Sequence, residues 1–336
     1  MIKDAILKLA NNEDISYIMA EESMNEIMRG KATDVQMSSY LTALSMKGET
    51  IDEITASAAS LRNHCIKLLP DMDVLEIVGT GGDGSNSFNI STISAIVISA
   101  GGVPVAKHGN RAASSKCGSA DVLESLGVNI QLSPDKSTKL LEKIDICFLF
   151  AQNYHIAMKY VAPIRKELGI PTIFNILGPL SNPAGANMEV MGVYDESLVL
   201  PLAMVIHNLG VKDAMIVYGQ DKLDEISISA PTTVCEIKND KFSQYTLNPE
   251  DYDFKLSPKS EILGGSPKLN ASIGLSILNG EEGAKRDAVL LNSAAGLYIG
   301  GKVNSLEKGI NLAQKLIDSG KAKEQLDRFV EMSNNI

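Results

Sequence analysis

Gly79-Thr80-Gly81-Gly82-Asp83-Gly84-Ser85-Asn86-Ser87-Phe88-Asn89-Ile90-Ser91-Thr92 lies between two apolar runs. Val74–Val78 before it reads as a buried strand, and Ile93–Ala100 after it reads as a helix. Strand, glycine-rich turn and helix together make a phosphate cradle. Glycines let the backbone approach closely, and a helix N-terminus offers unpaired N–H groups and a favourable dipole. Asp83, Asn89, Ser91 and Thr92 add groups suited to ribose hydroxyls, phosphate oxygens or a hydrated metal. The turn is neither of the two common phosphate motifs. No Lys follows the last Gly as in a Walker A loop, and Gly79-x-Gly81-Gly82-x-Gly84 is not the dinucleotide fingerprint.

Working outward, the pattern alternates. Strand-like runs at Leu75–Val78, Val103–Ala106, Ile146–Phe150, Val190–Val193 and Ala214–Tyr218 are separated by helical segments. These helices are expected at Ser91–Ala100, Ser119–Leu126, Pro134–Lys143, Ala157–Leu168 and Ser197–Leu209. Such alternation predicts an α/β fold with a mainly parallel sheet, helices on both faces, and ligands at the carboxyl ends of the strands. Thr233–Ile237 and Phe242–Leu247 read as antiparallel strands, and Asn270–Asn279, Ala284–Ile299 and Ser305–Met332 as helices. The first ~65 residues read as helices only, with capping boxes at Thr33-x-x-Gln36 and Thr50-x-x-Glu53. Ile176–Gly185, rich in Gly and Pro, reads as a hinge or crossover about Gly178-Pro179.

The chain of 336 residues is 44% hydrophobic, enough for one large domain or two moderate ones. A net charge of −10 argues against a nucleic-acid partner. Cys65, Cys117, Cys147 and Cys235 are scattered, with no Cys-x-x-Cys pair to suggest zinc or a redox disulfide. The amphipathic N-terminus lacks a signal-peptide core, and no run approaches the ~20 apolar residues of a membrane span. A soluble cytoplasmic protein is expected.

A second loop carries charge. Lys107-His108-Gly109-Asn110-Arg111-Ala112-Ala113-Ser114-Ser115-Lys116 follows the second strand of the sheet and places four cations or potential cations in ten residues. Lys and Arg neutralise phosphate, while Ser and Asn supply neutral donors. A solvated loop is the ordinary alternative, but two adjacent strands would here deliver two anion-binding loops to one sheet edge. Asp224-Glu225 suits Mg²⁺ if it reaches those loops, and is otherwise a solvated acidic turn. Arg165 is placed either to meet a substrate carboxylate or to stabilise a helix C-terminus. His108 lies inside the basic loop. His64 and His207 read as structural. No Ser/His/Asp or Cys/His arrangement suggests a nucleophile, so direct displacement on a sugar phosphate is expected.

These segments, with Gly118-Ser119-Ala-Asp121, Asn175-Ile-Leu-Gly178-Pro179-Leu-Ser-Asn182-Pro183 and Asp224-Glu225 in order, resemble the anthranilate phosphoribosyltransferases of tryptophan biosynthesis over essentially the whole chain. The resemblance implies transfer of phosphoribose from 5-phosphoribosyl 1-pyrophosphate (PRPP) to the amine of anthranilate, with release of pyrophosphate. It implies Mg²⁺, two ions per monomer. It also implies a homodimer formed through a small helical unit of residues 1–70, joined by part of 160–185, beside an α/β domain of residues 71–336. PRPP would be held by Gly79, Gly82, Asp83, Ser87, Asn89, Ile90, Ser91 and Thr92. The loop Lys107, His108, Gly109, Asn110, Arg111, Ala112, Ala113, Ser114 and Ser115, with Ser119, would cover the pyrophosphate. Ser91, Asp224 and Glu225 would be metal ligands, and Gly79, Asn110 and Arg165 anthranilate contacts. Ser87 stands where the family often has Thr, and Ala112 and Ala113 where Ser or Val is common. No fused amidotransferase segment is present, so a monofunctional chain is expected. A pyrimidine nucleoside phosphorylase of the same architecture, a nucleic-acid-binding relative and a transferase for another aromatic amine are the competing readings. Pocket shape decides the last of these.

Overall fold

The computed structural model describes residues 1–68, 70–112 and 115–336. Its N-terminal part is helical: α1 (Ile2–Ala10), α2 (Tyr17–Met28), α3 (Asp34–Lys47) and α4 (Ile51–His64). Both expected capping boxes form, with Thr33 and Gln36 opening α3, and Thr50 and Glu53 opening α4. Asp52 and Glu53 in the first turn of α4, and Arg62 and His64 in its last, also complement the helix dipole.

The α/β part begins with β1 (Leu75–Gly79), α5 (Ile90–Ala100), β2 (Val105–Gly109), α6 (Ser119–Ser125), α7 (Pro134–Ile144) and β3 (Ile146–Phe150). Then come α8 (Ala151–Tyr154), α9 (Ala162–Leu168), α10 (Phe174–Leu177), β4 (Met188–Gly192), α11 (Val199–Asn208) and β5 (Asp213–Gly219). Two antiparallel strands, β6 (Thr232–Lys238) and β7 (Lys241–Leu247), close the sheet. Four helices end the chain: α12 (Pro267–Leu278), α13 (Ala284–Ile299), α14 (Leu306–Asp318) and α15 (Lys321–Asn335).

The sheet order is β3-β2-β1-β4-β5-β6-β7, with β1 to β5 parallel. The chain leaves β1 for β2 on one side and returns as β4 on the other. The carboxyl ends of β1 and β4 therefore flank a topological switch point, where open α/β sheets bind ligands.

Alternate strand residues feed two cores. Leu75, Ile77, Val190, Met215 and Val217 join the core with α5 and α13. Met191, Val193, Ala214 and Ile216 face the other way, into a core shared with α1 to α4, α9 to α11 and the crossover residues Leu177 and Leu180. The N-terminal helices thus share one core with the 161–180 segment and one face of the sheet.

Three expectations are corrected. β2 starts at Val105 rather than Val103, because Pro104 has no N–H for a ladder and Val103 belongs to the turn after α5, donating to Ile98. The helix expected over 157–168 divides into a 3₁₀ turn, Ile156–Tyr160, and α9, with Pro163 in the first turn of α9, where its missing N–H costs nothing. The helix expected over 305–332 is two helices, parted where Gly320 takes a left-handed φ of 79°.

Candidate active site

Asp224 and Glu225 lie across the switch point. Gly79 and Gly192 are register partners at the ends of β1 and β4. A Cβ on Gly192 would collide with the backbone carbonyl of Asp224, and one on Gly79 with its carboxylate. Only glycine at both strand ends lets the acidic peptide sit this close to the sheet.

The glycine-rich turn wraps this pair. Gly81, Gly82 and Gly84 have φ of 69°, 79° and 68°, the left-handed region that admits glycine readily. The Gly81 N–H donates to Asp224 Oδ2 at 2.7 Å, and the Asp224 N–H reaches Asp83 Oδ2 at 3.4 Å. At the first turn of α5, the Ser91 N–H donates to Glu225 Oε1 at 3.0 Å. Lys107, in the middle of β2, donates from Nζ to Ser91 Oγ at 3.3 Å and to the Ile77 carbonyl at 2.5 Å. Gly79, Asp83, Ser91, Lys107, Asp224 and Glu225 therefore converge as the sequence suggested, in spite of separations of more than 140 residues between Asp83 and Asp224.

Burial sets the electrostatics. Desolvation and the neighbouring Asp83 and Glu225 carboxylates push Asp224 well above the ordinary carboxylate range. Burial also raises Glu225, against the pull of Lys107 and the Ser91 bonds. Lys107 is lowered by burial, while Glu76, Glu225 and Asp224 favour its charge. A buried acidic pair held above its ordinary range is a site that a divalent cation would relieve. Among the described residues, no group of three or more His, Cys, Asp or Glu side chains forms a ready-made metal site. That fits Mg²⁺, which is commonly held by one or two carboxylates together with substrate phosphates.

Several remaining candidates lie on the turn before α5 and on the loop after β2. Asn89 Nδ2 donates to the Cys117 carbonyl at 3.1 Å, and its Oδ1 accepts from Asn270 at 2.9 Å. Ser87 bridges to Leu263, and Ile90 and Thr92 are buried in the first turn of α5. Gly109 ends β2, and the Asn110 carbonyl accepts from the Ala120 N–H at 3.2 Å and from Ser119 Oγ at 3.4 Å. Ser115 Oγ donates to Cys117. Arg111 turns onto α6, with Nη1 at 2.9 Å from Asp121 and 2.8 Å from Glu124, and the Ala112 N–H donates to Asp121. Ala113 and Ser114 lie outside the described residues.

Arg165 sits on α9, stacked 5.5 Å from the Phe174 ring, with Nη2 donating to Asn175 Oδ1 at 3.4 Å. Phe174 and Asn175 belong to the crossover leading back to β4. His108 and His155 are both buried, their rings 5.0 Å apart, each with an Nε2 that has no hydrogen-bond partner among the described residues. Burial lowers both, and His155 falls to about 4, so both rings are neutral at pH 7.

The sequence assigns no site role to Glu76, Gly192 or Asn270, and names Asn182 only within the 175–183 motif. Glu76 stood in an apolar run, where a lone carboxylate in a central strand was itself the signal.

Two family descriptions cover this architecture. Residues 3–65 match "Glycosyl transferase family, helical bundle domain", and residues 71–323 match "Glycosyl transferase family, a/b domain". The anthranilate phosphoribosyltransferase of Methanobrevibacter smithii is 63% identical over 335 residues, spanning 100% of both chains. The chain belongs to the anthranilate phosphoribosyltransferase family. The Thermus thermophilus anthranilate phosphoribosyltransferase superposes with a TM-score of 0.94 at 41% identity, covering 98% of this chain and 99% of that one. The Saccharomyces cerevisiae anthranilate phosphoribosyltransferase in complex with PRPP and Mg gives 0.91 at 29% identity, covering 100% and 98%. The anthranilate phosphoribosyltransferase fold is thus matched over its whole length. The helical N-terminal part and the mainly parallel sheet flanked by helices agree with the fold expected from sequence.

Proposed function

We propose that this chain transfers the phosphoribosyl group of PRPP to anthranilate, giving N-(5-phosphoribosyl)anthranilate and pyrophosphate in the second step of tryptophan synthesis from chorismate. The C1–O bond to pyrophosphate breaks, a C1–N bond forms, and the amine gives up one proton. The observation that carries this reading is the Asp224-Glu225 pair, seated on Gly79 and Gly192 and bonded to both the glycine-rich turn and α5.

Gly79, Gly82, Asp83, Ser87, Asn89, Ile90, Ser91 and Thr92 cradle the phosphoribose. The 107–115 loop and Ser119 close over the pyrophosphate. Ser91, Asp224 and Glu225 would hold Mg²⁺, two ions per monomer, and the metal would supply positive charge against the leaving pyrophosphate. Anthranilate's amine is a weak nucleophile, so the protein works by positioning it and by favouring departure of the pyrophosphate. Lys107 places its amine near the first turn of α5, as a donor to Ser91. Arg165, bonded to Asn175 and stacked on Phe174, meets the anthranilate carboxylate, and Asn110 and Gly79 are the other anthranilate contacts. The displacement is dissociative and inverts C1.

Exposed Ile18, Val35 and Met46 on and beside α2 and α3 suit a homodimer through the helical unit. Four free cysteines suit a reducing cytoplasm.

Mass spectrometry of a PRPP, anthranilate and Mg²⁺ mixture tests the reading: the phosphoribosylated amine is expected. Cleavage of a pyrimidine nucleoside by phosphate in its place overturns it. Asp224→Asn combined with Glu225→Gln should weaken Mg²⁺-dependent turnover with the fold intact. An unchanged Mg²⁺ dependence would remove the metal from this pair.

A further inference from the structure

The seam between β1 and β2 is open. β1 pairs with β4 at five positions and β2 with β3 at five, but β1 meets β2 at Leu75↔Val105 alone. Past that point, side chains replace the ladder. Glu76 accepts the His108 backbone N–H on both carboxylate oxygens, at 3.0 and 3.2 Å. Lys107 donates to the Ile77 carbonyl, and Asn182 Nδ2 donates to the Ala106 carbonyl at 2.8 Å and to Glu76.

Glu76, Lys107 and Asn182 are all buried. Buried ionisable and polar groups give weak net stability, and a closed backbone ladder would satisfy the same N–H and C=O groups without them. The open seam has a geometric consequence. It lets the Lys107 side chain lie between the strands and reach Ser91 Oγ at the start of α5. The two anion loops leave the sheet at Gly79 and Gly109, within three residues of the bonds that Glu76 and Lys107 make across the seam.

We propose that Glu76 is a positioning residue for phosphoribosyl transfer: by holding the His108 N–H and the Asn182 amide inside the open β1–β2 seam, it fixes the spacing between the glycine-rich turn and the basic loop. This rests on the phosphoribosyl-transfer reading above. Glu76 touches no substrate. It acts through Lys107 and through the direction in which β2 ends.

Glu76→Gln keeps the shape but turns a donor toward a group of donors, so one buried hydrogen bond to the carboxyl is lost. The expected result is a rise of about tenfold in the KM for PRPP and in the PRPP Kd measured by calorimetry with Mg²⁺, with the KM for anthranilate changed by less than about twofold. Glu76→Asp keeps a carboxyl acceptor and should recover part of the loss. If Glu76→Gln does not accumulate folded, Glu76→Asp carries the test, with a smaller rise of the same PRPP selectivity. Unchanged PRPP constants, or both KM values rising together, overturn the positioning role. Wild-type protein that fails to bind PRPP overturns the reading beneath it instead.

Discussion

Replacing Gly192 by alanine tests the seat of the acidic pair. The new Cβ would fall inside the carbonyl of Asp224, and its next neighbour is the Glu225 backbone nitrogen at 3.0 Å. Both obstacles are backbone, so no rotamer change clears them. The peptide must retreat by roughly 1 Å or more, and a misplacement of that size in a catalytic array can cost about 10²-fold in rate. Overpacking of this kind costs about 1–3 kcal/mol, which lowers Tm by several degrees without unfolding the domain. Gly79→Ala separates the two effects. Its Cβ meets chiefly the Asp224 carboxylate, which can rotate away, so stability falls less while the proposed metal ligand is still displaced. The assay is steady-state kcat/KM for PRPP at saturating Mg²⁺, beside thermal unfolding of each variant. A Gly192→Ala enzyme within twofold of wild type would refute the argument that the carboxylates work from this position. A rate loss fully explained by unfolded protein would refute it equally.

Other outcomes follow from neighbouring groups. Arg165→Ala should raise the KM for anthranilate more than that for PRPP; the reverse order would move Arg165 to the other pocket. Glu189, beside Glu76 in the register of β4 and β1, is raised to about 7 by burial against the opposing pull of Arg62. A raised carboxyl costs stability increasingly as pH climbs from its unfolded value near 4.5 to about 7, and fully above that. Glu189→Gln should therefore flatten the fall in Tm across that window and stabilise the protein at pH 8; a steeper fall would reverse the sign. Glu53 accepts from the Ile15 and Thr50 N–H groups and from Lys47, all at 2.8–3.0 Å. Glu53→Ala should cost about 3 kcal/mol in denaturant unfolding and leave the KM values of folded enzyme unchanged.

Local signals were legible in the sequence, and spatial ones were not. The glycine turn opening a helix, the basic loop after the next strand, and the capping boxes of Thr33 and Thr50 each act over a few residues, so their spacing alone predicts them. Asp224-Glu225 read as an acidic turn whose worth depended on location. Its seat on Gly192 is visible only when β4 returns beside β1, because a glycine ending a strand has no sequence mark for what lies above it. Glu76 looks like an exception within an apolar run until Asn182 arrives from the crossover, 106 residues later. Arg111 reads as a phosphate ligand from its charge, and its bonds to Asp121 and Glu124 on α6 are not visible from that charge alone. The break at Gly320 was hidden because apolar periodicity continues through it, while a single left-handed residue redirects the chain.

The most direct test of the central claim is the loss of anthranilate fluorescence on mixing purified protein with PRPP, with and without Mg²⁺, alongside pyrophosphate release. The account predicts rapid, Mg²⁺-dependent loss matched mole for mole by pyrophosphate. A folded protein that binds PRPP and Mg²⁺ yet leaves anthranilate unchanged would contradict it.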